Sequence, residues 1–385
     1  MIKTITASVT DLDDAKVAVE QIKSQLGPLD ALHKHTVGIL ACHYEFVYLG
    51  VVAAICDTLP FEIMGTISSA QSVQDEAEAL LLTLMVLTSD DVEFVTAVTP
   101  SLMVDPDQVI RETYLGACRD DRPALVFSFA PFMPQNSGDT YVEVLTEASG
   151  GVPCFGTLAV DDTLDFSNCF MLYNGVHYRE EMAMILVYGA VQPKFYVANI
   201  SQSHIFEKSA LVTKSAGPVL MEVNDRPVIE FFEDLGLVEA SETQYALSSL
   251  LFLLDYKDGT PVVSKIFVML TPEKYALCAG SMPEGSILHI ARTDRHDVML
   301  TTGQAMDALL ADIEGASGLL IYSCISRSMA LGADAYGEMG LVDQKVAGRL
   351  PFLMAYSGGE ICPTQVSGGK AINRFHNNAF IACVF

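Results

Sequence analysis

Basic residues are scarce in this chain of 385 residues, where 22 Lys and Arg stand against 48 Asp and Glu and leave a formal charge of −26 at pH 7. Nucleic acids and anionic lipids are held by clustered Lys and Arg that displace counterions. No such cluster occurs, so neither partner is expected. Long apolar runs are missing too. The segment Ala79-Leu-Leu-Leu-Thr-Leu-Met-Val-Leu87 is far shorter than the roughly 20 residues that cross a bilayer. Met1-Ile-Lys-Thr-Ile-Thr6 lacks the apolar core of a signal peptide. A cytoplasmic protein with no membrane insertion is the expectation.

Several motifs are also lacking. The nine cysteines include no Cys-x-x-Cys pair, and Cys154, Cys169, Cys278 and Cys383 sit inside strand-like apolar runs, as reduced, buried cysteines do. Neither a disulfide framework nor a structural zinc site is expected. No Gly-x-Gly-x-x-Gly follows a strand, and Ser367-Gly-Gly-Lys370 lacks both the earlier glycine and the following Ser or Thr of a phosphate loop. That stretch reads as a turn.

Half of the chain is apolar, and its mean hydropathy is positive, which calls for a large core and leaves a homodimer open. The length points to two domains. Small residues and Gly-Pro in Thr213-Lys-Ser-Ala-Gly-Pro218 read as an extended connector, dividing the chain into 1–215 and 216–385. Ala15, Val19, Ile22 and Leu26 mark one face of a helix that Thr10 and Asp13 could cap. Thr36–Cys42, a helix over Phe46–Thr58, and a strand entered through Pro60 form a unit that recurs. Ala124–Ala130 with Val152–Asp162 is its second copy, and Gly318–Ser323 with Leu350–Ile361 its third. Ala79–Leu87 is expected to pair with Glu93–Thr99, and Asn168–Tyr173 with Met182–Tyr188 through an Asn174-Gly175 turn. The fold class is therefore α+β, with mixed, largely antiparallel sheets flanked by helices.

Chemistry concentrates at the C-terminal end. The strand Gly318-Leu-Leu-Ile-Tyr-Ser323 runs into Cys324-Ile-Ser-Arg327, and a second strand ends in Tyr356-Ser-Gly-Gly-Glu360. Polar groups where strands leave a core are a usual address for ligands, and paired glycines let amides approach one closely. If these strands are neighbours, Cys324, Arg327, Ser357, Glu360 and His376 converge. Arg327 needs an anion, either Glu338 or Glu360 in an internal pair, or a ligand carboxylate.

The series Cys324, Arg327, Glu338, Pro351-Phe352, Gly359-Glu360 and Phe375-His376-Asn377 resembles the C-terminal domain of the FIST family, the F-box and intracellular signal transduction proteins. Met354-Ala355 stands where that family usually has a glycine. Phe155-Gly-Thr-Leu-Ala159 with Asp161-Asp162 is similar to its N-terminal domain, with one of two glycines replaced, and Ser68-Ser69-Ala70-Gln71 departs further. The resemblance implies an intracellular sensor rather than an enzyme. It would bind a small ligand, with amino acids the proposed class, and signal to a separate protein such as a sensor kinase. Arg327 would take a carboxylate, the Ser357, Gly358 and Gly359 amides would donate beside Tyr356, and Glu360 would receive an ammonium group. Cys324, His376 and Asn377 complete the candidate site. Two other readings stay open. His376 could ligate the iron of a haem-based gas sensor, or Cys324 could be a nucleophile with His376 as base and Glu360 as orienting acid.

Overall fold

The computed structural model describes residues 1–133, 136–163, 166–237, 250–365 and 371–385. The expected turn at Ser367–Lys370 lies outside the described residues.

One unit is built three times. The first copy holds β1 (Lys3–Val9), α1 (Ala15–Leu26), β2 (His35–Cys42), α2 (Glu45–Tyr48), α3 (Val51–Thr58), β3 (Glu62–Ile67), β4 (Gln71–Val73), β5 (Glu76–Glu78) and β6 (Leu82–Ser89). The second holds β7 (Glu93–Val98), α4 (Pro106–Ala117), β8 (Leu125–Ala130), α5 (Gly138–Ser149), β9 (Cys154–Leu158), β10 (Met171–Tyr173), β11 (Val176–Tyr178) and β12 (Ala183–Tyr188). The third opens with β13 (Lys194–Ala198) and is then interrupted by β14 (Ile205–Ala216), β15 (Val219–Val223), β16 (Arg226–Pro227), α6 (Val228–Asp234), β17 (Leu250–Asp255), β18 (Val263–Leu270), β19 (Ala276–Cys278) and β20 (Ile287–Arg292). It resumes with α7 (Arg295–Leu310), β21 (Leu319–Cys324), α8 (Ile325–Leu331), α9 (Gly337–Val346), β22 (Phe352–Ser357), β23 (Glu360–Gln365), β24 (Ala371–His376) and β25 (Phe380–Val384).

Each copy makes the same four-strand core, in the orders β1-β6-β2-β3, β7-β12-β8-β9 and β13-β25-β21-β22. The third and fourth strands in each of these orders are parallel. In the first two copies the parallel pair is so close that only glycine fits the fourth strand. A Cβ on Gly65 would lie 1.7 Å from Leu40 O, and one on Gly156 2.0 Å from Ser128 O. The third copy has Ala355 at that register, opposite Tyr322, so the family's glycine is not required there.

The short hairpins are exchanged in a ring. β4–β5 extends the third sheet through β22, β10–β11 extends the first through β3, and β23–β24 extends the second through β9. This corrects the expected pairings. Asn174 and Gly175, both at positive φ, do make a tight turn, but it joins β10 to β11. β12 instead pairs with β7 and β8, and β6 with β1 and β2. The three-residue strands of β4–β5 and β10–β11 have too few cross-strand contacts to stand alone, and borrowing a neighbour's edge supplies them.

The three sheets turn one face toward a shared core that includes Ile39, Met85, Phe127, Phe155, Tyr322 and Ile381. Their other faces carry helices: α1 and α3, α4 and α5, and α7 and α9. Helix α1 buries Ala18, Val19, Ile22 and Leu26, the apolar stripe its spacing predicts. Its cap is Asp14 rather than Thr10, the carboxylate accepting from the Lys16 and Val17 amides. The expected helix over Phe46–Thr58 breaks in two at Gly50, where φ is 79°.

The interruption is a separate antiparallel sheet. β14 pairs with both β20 and β15, closing the ring β14-β20-β17-β18-β19-β15 into a barrel. Phe232 of α6 packs inside it against Phe252 and Phe267. The stretch expected to be a connector, Thr213–Pro218, is the end of β14 and the turn into β15. Gly217, at φ 54°, makes that turn.

Candidate functional site

Two expected juxtapositions are present. Cys324 lies opposite Ser357 across β21 and β22, and Glu360 opposite His376 across β23 and β24. The hairpin exchange also carries Glu360 onto Thr157 of the second sheet, so residues from two repeats meet at the end of β22.

Arg327 and Tyr356 belong to a different environment. The Arg327 side chain is fully buried, and its Nε and Nη2 lie 3.0 and 2.9 Å from Glu338 Oε1. Nη1 donates to Asn199 O at 3.0 Å, while Nη2 reaches Val298 O and Thr302 Oγ1 at 3.1 and 2.8 Å. Glu338 accepts in addition from Thr302 and from Ser323. The guanidinium is spent on an internal pair with Glu338, one of the two partners its sequence position allowed. Tyr356 donates to Ala335 O at 2.9 Å and packs in the core beneath α7 and α9.

The glycine amides are likewise taken. Gly358 N donates to Leu158 O, and Gly359 N to Ser357 Oγ, which itself accepts from Thr157 and donates to Gly359 O. A Cβ on Gly358 would come within 2.7 Å of Ala159 O. These glycines let the ends of β9 and β22 touch. The expected clamp, with Arg327 on a carboxylate, free amides at Ser357–Gly359 and Glu360 on an ammonium group, is not assembled.

Around Glu360 the bonding is incomplete. Its Oε2 accepts from Ala379 N at 3.3 Å, but Oε1 has no partner. Burial pushes its carboxyl well above the usual range, against the opposing pull of the Ala379 amide. His376 is 1% exposed, with Nε2 3.3 Å from Cys362 O and Nδ1 unpartnered. Desolvation lowers its pKa to about 3, so the ring is neutral. Asn377 has neither side-chain atom bonded, and Asn378 leaves Nδ2 free while Oδ1 accepts from Ser326 at 2.9 Å. Buried polar atoms without partners are uncommon in folded proteins, and here they share one strand turn.

Cys324 stands beside this cluster. Burial and then the charge of Glu360 push its thiol up to about 12. The other groups acting on it are Ser326 and Asn378, so the expected alignment of Cys324 with His376 as base is not formed. His376 does not fit an axial haem ligand either, since it is enclosed and Nε2 faces a carbonyl. Among the described residues, no group of three or more His, Cys, Asp or Glu is arranged to hold a metal.

A cavity of about 280 Å³ opens between the barrel and the three-repeat body. Ile266, Phe267, Val268 and Ala279 line it from the barrel. Phe132, Val160 and Phe166 close it from the second repeat, the two phenylalanine rings 5.5 Å apart. The third repeat contributes Cys324, Ile325, Ser326, Met329 and Gly358. Only Cys324 and Gly358 of the nine expected site residues reach it. A larger hollow beside the chain termini is lined by Lys194 and Asp312, but these are 2.6 Å apart and neutralise each other.

Sequence reasoning missed the barrel's share of this cavity, because nothing near Ile266 or Ala279 marks a ligand wall. It also passed over Lys265, a lysine within the apolar strand Val263-Ser-Lys-Ile-Phe-Val268. Its Nζ is fully buried and lies 2.8 Å from Asp139 Oδ1, tying β18 to the N-terminus of α5. A charge inside an apolar run was the available signal.

The FIST N domain matches residues 36–226, and the FIST C domain residues 229–363. No curated protein matches the chain. Among solved structures, a cyanuric acid hydrolase from A. caulinodans is similar over 100% of this chain and 98% of its own, at 10% identity and a TM-score of 0.38. The T. maritima PurL structure with ATP is similar over 100% and 71%, at 10% identity and a TM-score of 0.20. No helix among the described residues is long and apolar enough to cross a membrane.

Proposed function

Because the chain belongs to the FIST family, whose domains are associated with signal transduction and small-ligand sensing, we propose that it is a sensor whose ligand occupies the cavity between barrel and body and whose state is read by a separate signalling protein. The observation that carries this reading is the cavity's position. It is walled by both structural parts, so an occupant contacts the barrel and the body at once and can bias how they sit together.

An amino acid was the ligand class the resemblance pointed to. A zwitterion needs a free cation and a free anion, and neither Arg327 nor Glu360 lines this cavity. The haem reading would need a histidine presented at a hollow, which His376 is not.

A thermal-shift screen across amino acids and uncharged metabolites tests the proposal. A ligand at 100 times its dissociation constant adds about 2.7 kcal/mol of stability. Its effect should vanish in Ala279→Phe and in Met329→Trp, which fill the cavity from opposite walls. Hits unchanged in both folded variants would place the ligand elsewhere.

A further inference from the structure

The cavity's lining carries information about what it can accept. In a chain with a formal charge of −26, none of the described residues that line the cavity carries a charged side chain. The guanidinium of Arg327, on the same helix as the lining residues Ile325, Ser326 and Met329, is consumed by Glu338 and by backbone carbonyls. A charged guest would lose its hydration without gaining a partner, a cost that buried ions escape only by pairing. Glu360, behind Cys324, is held by burial toward its neutral acid form and offers no fixed counter-charge to an ammonium group.

One end is polar. Ser326 spends its hydroxyl proton on Asn378 Oδ1 at 2.9 Å, which leaves the oxygen's lone pairs able to accept. Cys324 beside it is a protonated thiol and a weak acceptor. The remaining wall is aromatic and aliphatic, from Phe132, Phe166, Ile266 and Met329. Size narrows the choice further. A cavity of about 150 Å³ holds one benzene ring, so about 280 Å³ takes one or two fused rings.

We propose that the ligand is an uncharged, largely apolar molecule of one or two rings, carrying a single N–H or O–H donor that bonds to Ser326 Oγ. The proposal rests on the reading of the cavity as the sensing site and specifies the chemistry of its occupant.

Calorimetric titration of the full chain with indole, 1-methylindole, indole-3-acetate and tryptamine tests it. Indole is expected to bind. The acid and the amine are expected to bind at least about a hundredfold more weakly, since each would bury an unpaired charge. Methylating the nitrogen removes the donor and should weaken binding roughly three- to tenfold, the effect of one neutral hydrogen bond. Ser326→Ala should weaken indole by a similar factor and erase its advantage over 1-methylindole.

Equal or tighter binding of tryptamine or indole-3-acetate would overturn the ligand class. So would failure of indole to bind at its solubility limit. The cavity reading fails separately, if indole binds as well to folded Ala279→Phe and Met329→Trp as to the unaltered chain. Binding lost in those variants but indifferent to charge would keep the site and discard the class.

Discussion

Arg327 and Glu360 begin from similar places in the sequence, each just past the end of an apolar strand, and both are fully buried. Their surroundings differ in kind. Arg327 meets Glu338, two backbone carbonyls and two threonine hydroxyls, so its donors are accounted for. Glu360 accepts a long bond from the Ala379 amide, with the Ser357 hydroxyl and Cys324 thiol also acting on its carboxyl, yet its Oε1 has no partner, and His376, Asn377 and Asn378 around it also carry unpartnered atoms. A satisfied buried charge holds parts of a fold in register. A cluster with unpartnered polar atoms carries no such tie, and each of those atoms stands as an uncompensated desolvation cost.

The sharpest way to break this contrast is to remove Arg327. Asn199 and Val298, whose carbonyls it binds, flank the two points where the chain leaves for the barrel and returns. Arg327→Ala strands Glu338 without a counter-charge and should cost about 3–5 kcal/mol, read from urea denaturation. Arg327→Lys should recover little of that loss, because an ammonium cannot reach all of these acceptors from one position. A loss below about 1 kcal/mol in Arg327→Ala would mean that the network is not holding the junction.

Two opposed pH dependences should come from the other cluster. Glu360 has a raised pKa in the folded state, so its contribution is complete below the unfolded value of about 4.3 and fades as pH rises through the folded one. His376 is lowered to about 3. Its contribution is complete above about 6.5 and is lost as pH falls toward its folded value. Glu360→Gln should therefore flatten the decline toward neutral pH, and His376→Gln the decline toward acid, in denaturation curves taken across that range. Unchanged slopes in both variants would show that these groups are not desolvated as described.

Cys324 offers a related measure. With its thiol held near 12, iodoacetamide should modify it in the folded protein far more slowly than in urea, since the thiolate is the reacting form. Rapid labelling at neutral pH would reopen the nucleophile reading.

How much of this was legible beforehand follows from the same contrast. The repeated strand-helix-strand unit was readable, because apolar runs bounded by Gly and Pro are local signals. That Cys324 and Ser357 come together was the conditional expectation of treating those runs as neighbouring strands, while their register was not specified. The hairpin exchange was not readable, since it depends on which sheet edge each hairpin finds, and its own residues do not encode that choice. The exchange carries β23, and Glu360 with it, onto β9. The barrel wall of the cavity was hidden for a similar reason. Ile266 and Ala279 are ordinary strand residues until the barrel closes against the body.

The smallest effect gives the finest comparison, between two asparagines four residues apart. Asn373 Oδ1 accepts from Cys154 N, and its Nδ2 donates to Thr146 Oγ1 and Val152 O. Asn377 has no side-chain partner and is equally enclosed. Truncating Asn373 leaves a buried amide and carbonyl unpaired, so Asn373→Ala should lose about 1–3 kcal/mol. Asn377→Ala removes polar atoms that are already unpaired, and should change stability by less than about 0.5 kcal/mol or raise it. If Asn377→Ala proves as damaging as Asn373→Ala, its amide is satisfied within the protein, and the cluster behind Cys324 is architecture like the Arg327 network rather than a set of uncompensated polar groups.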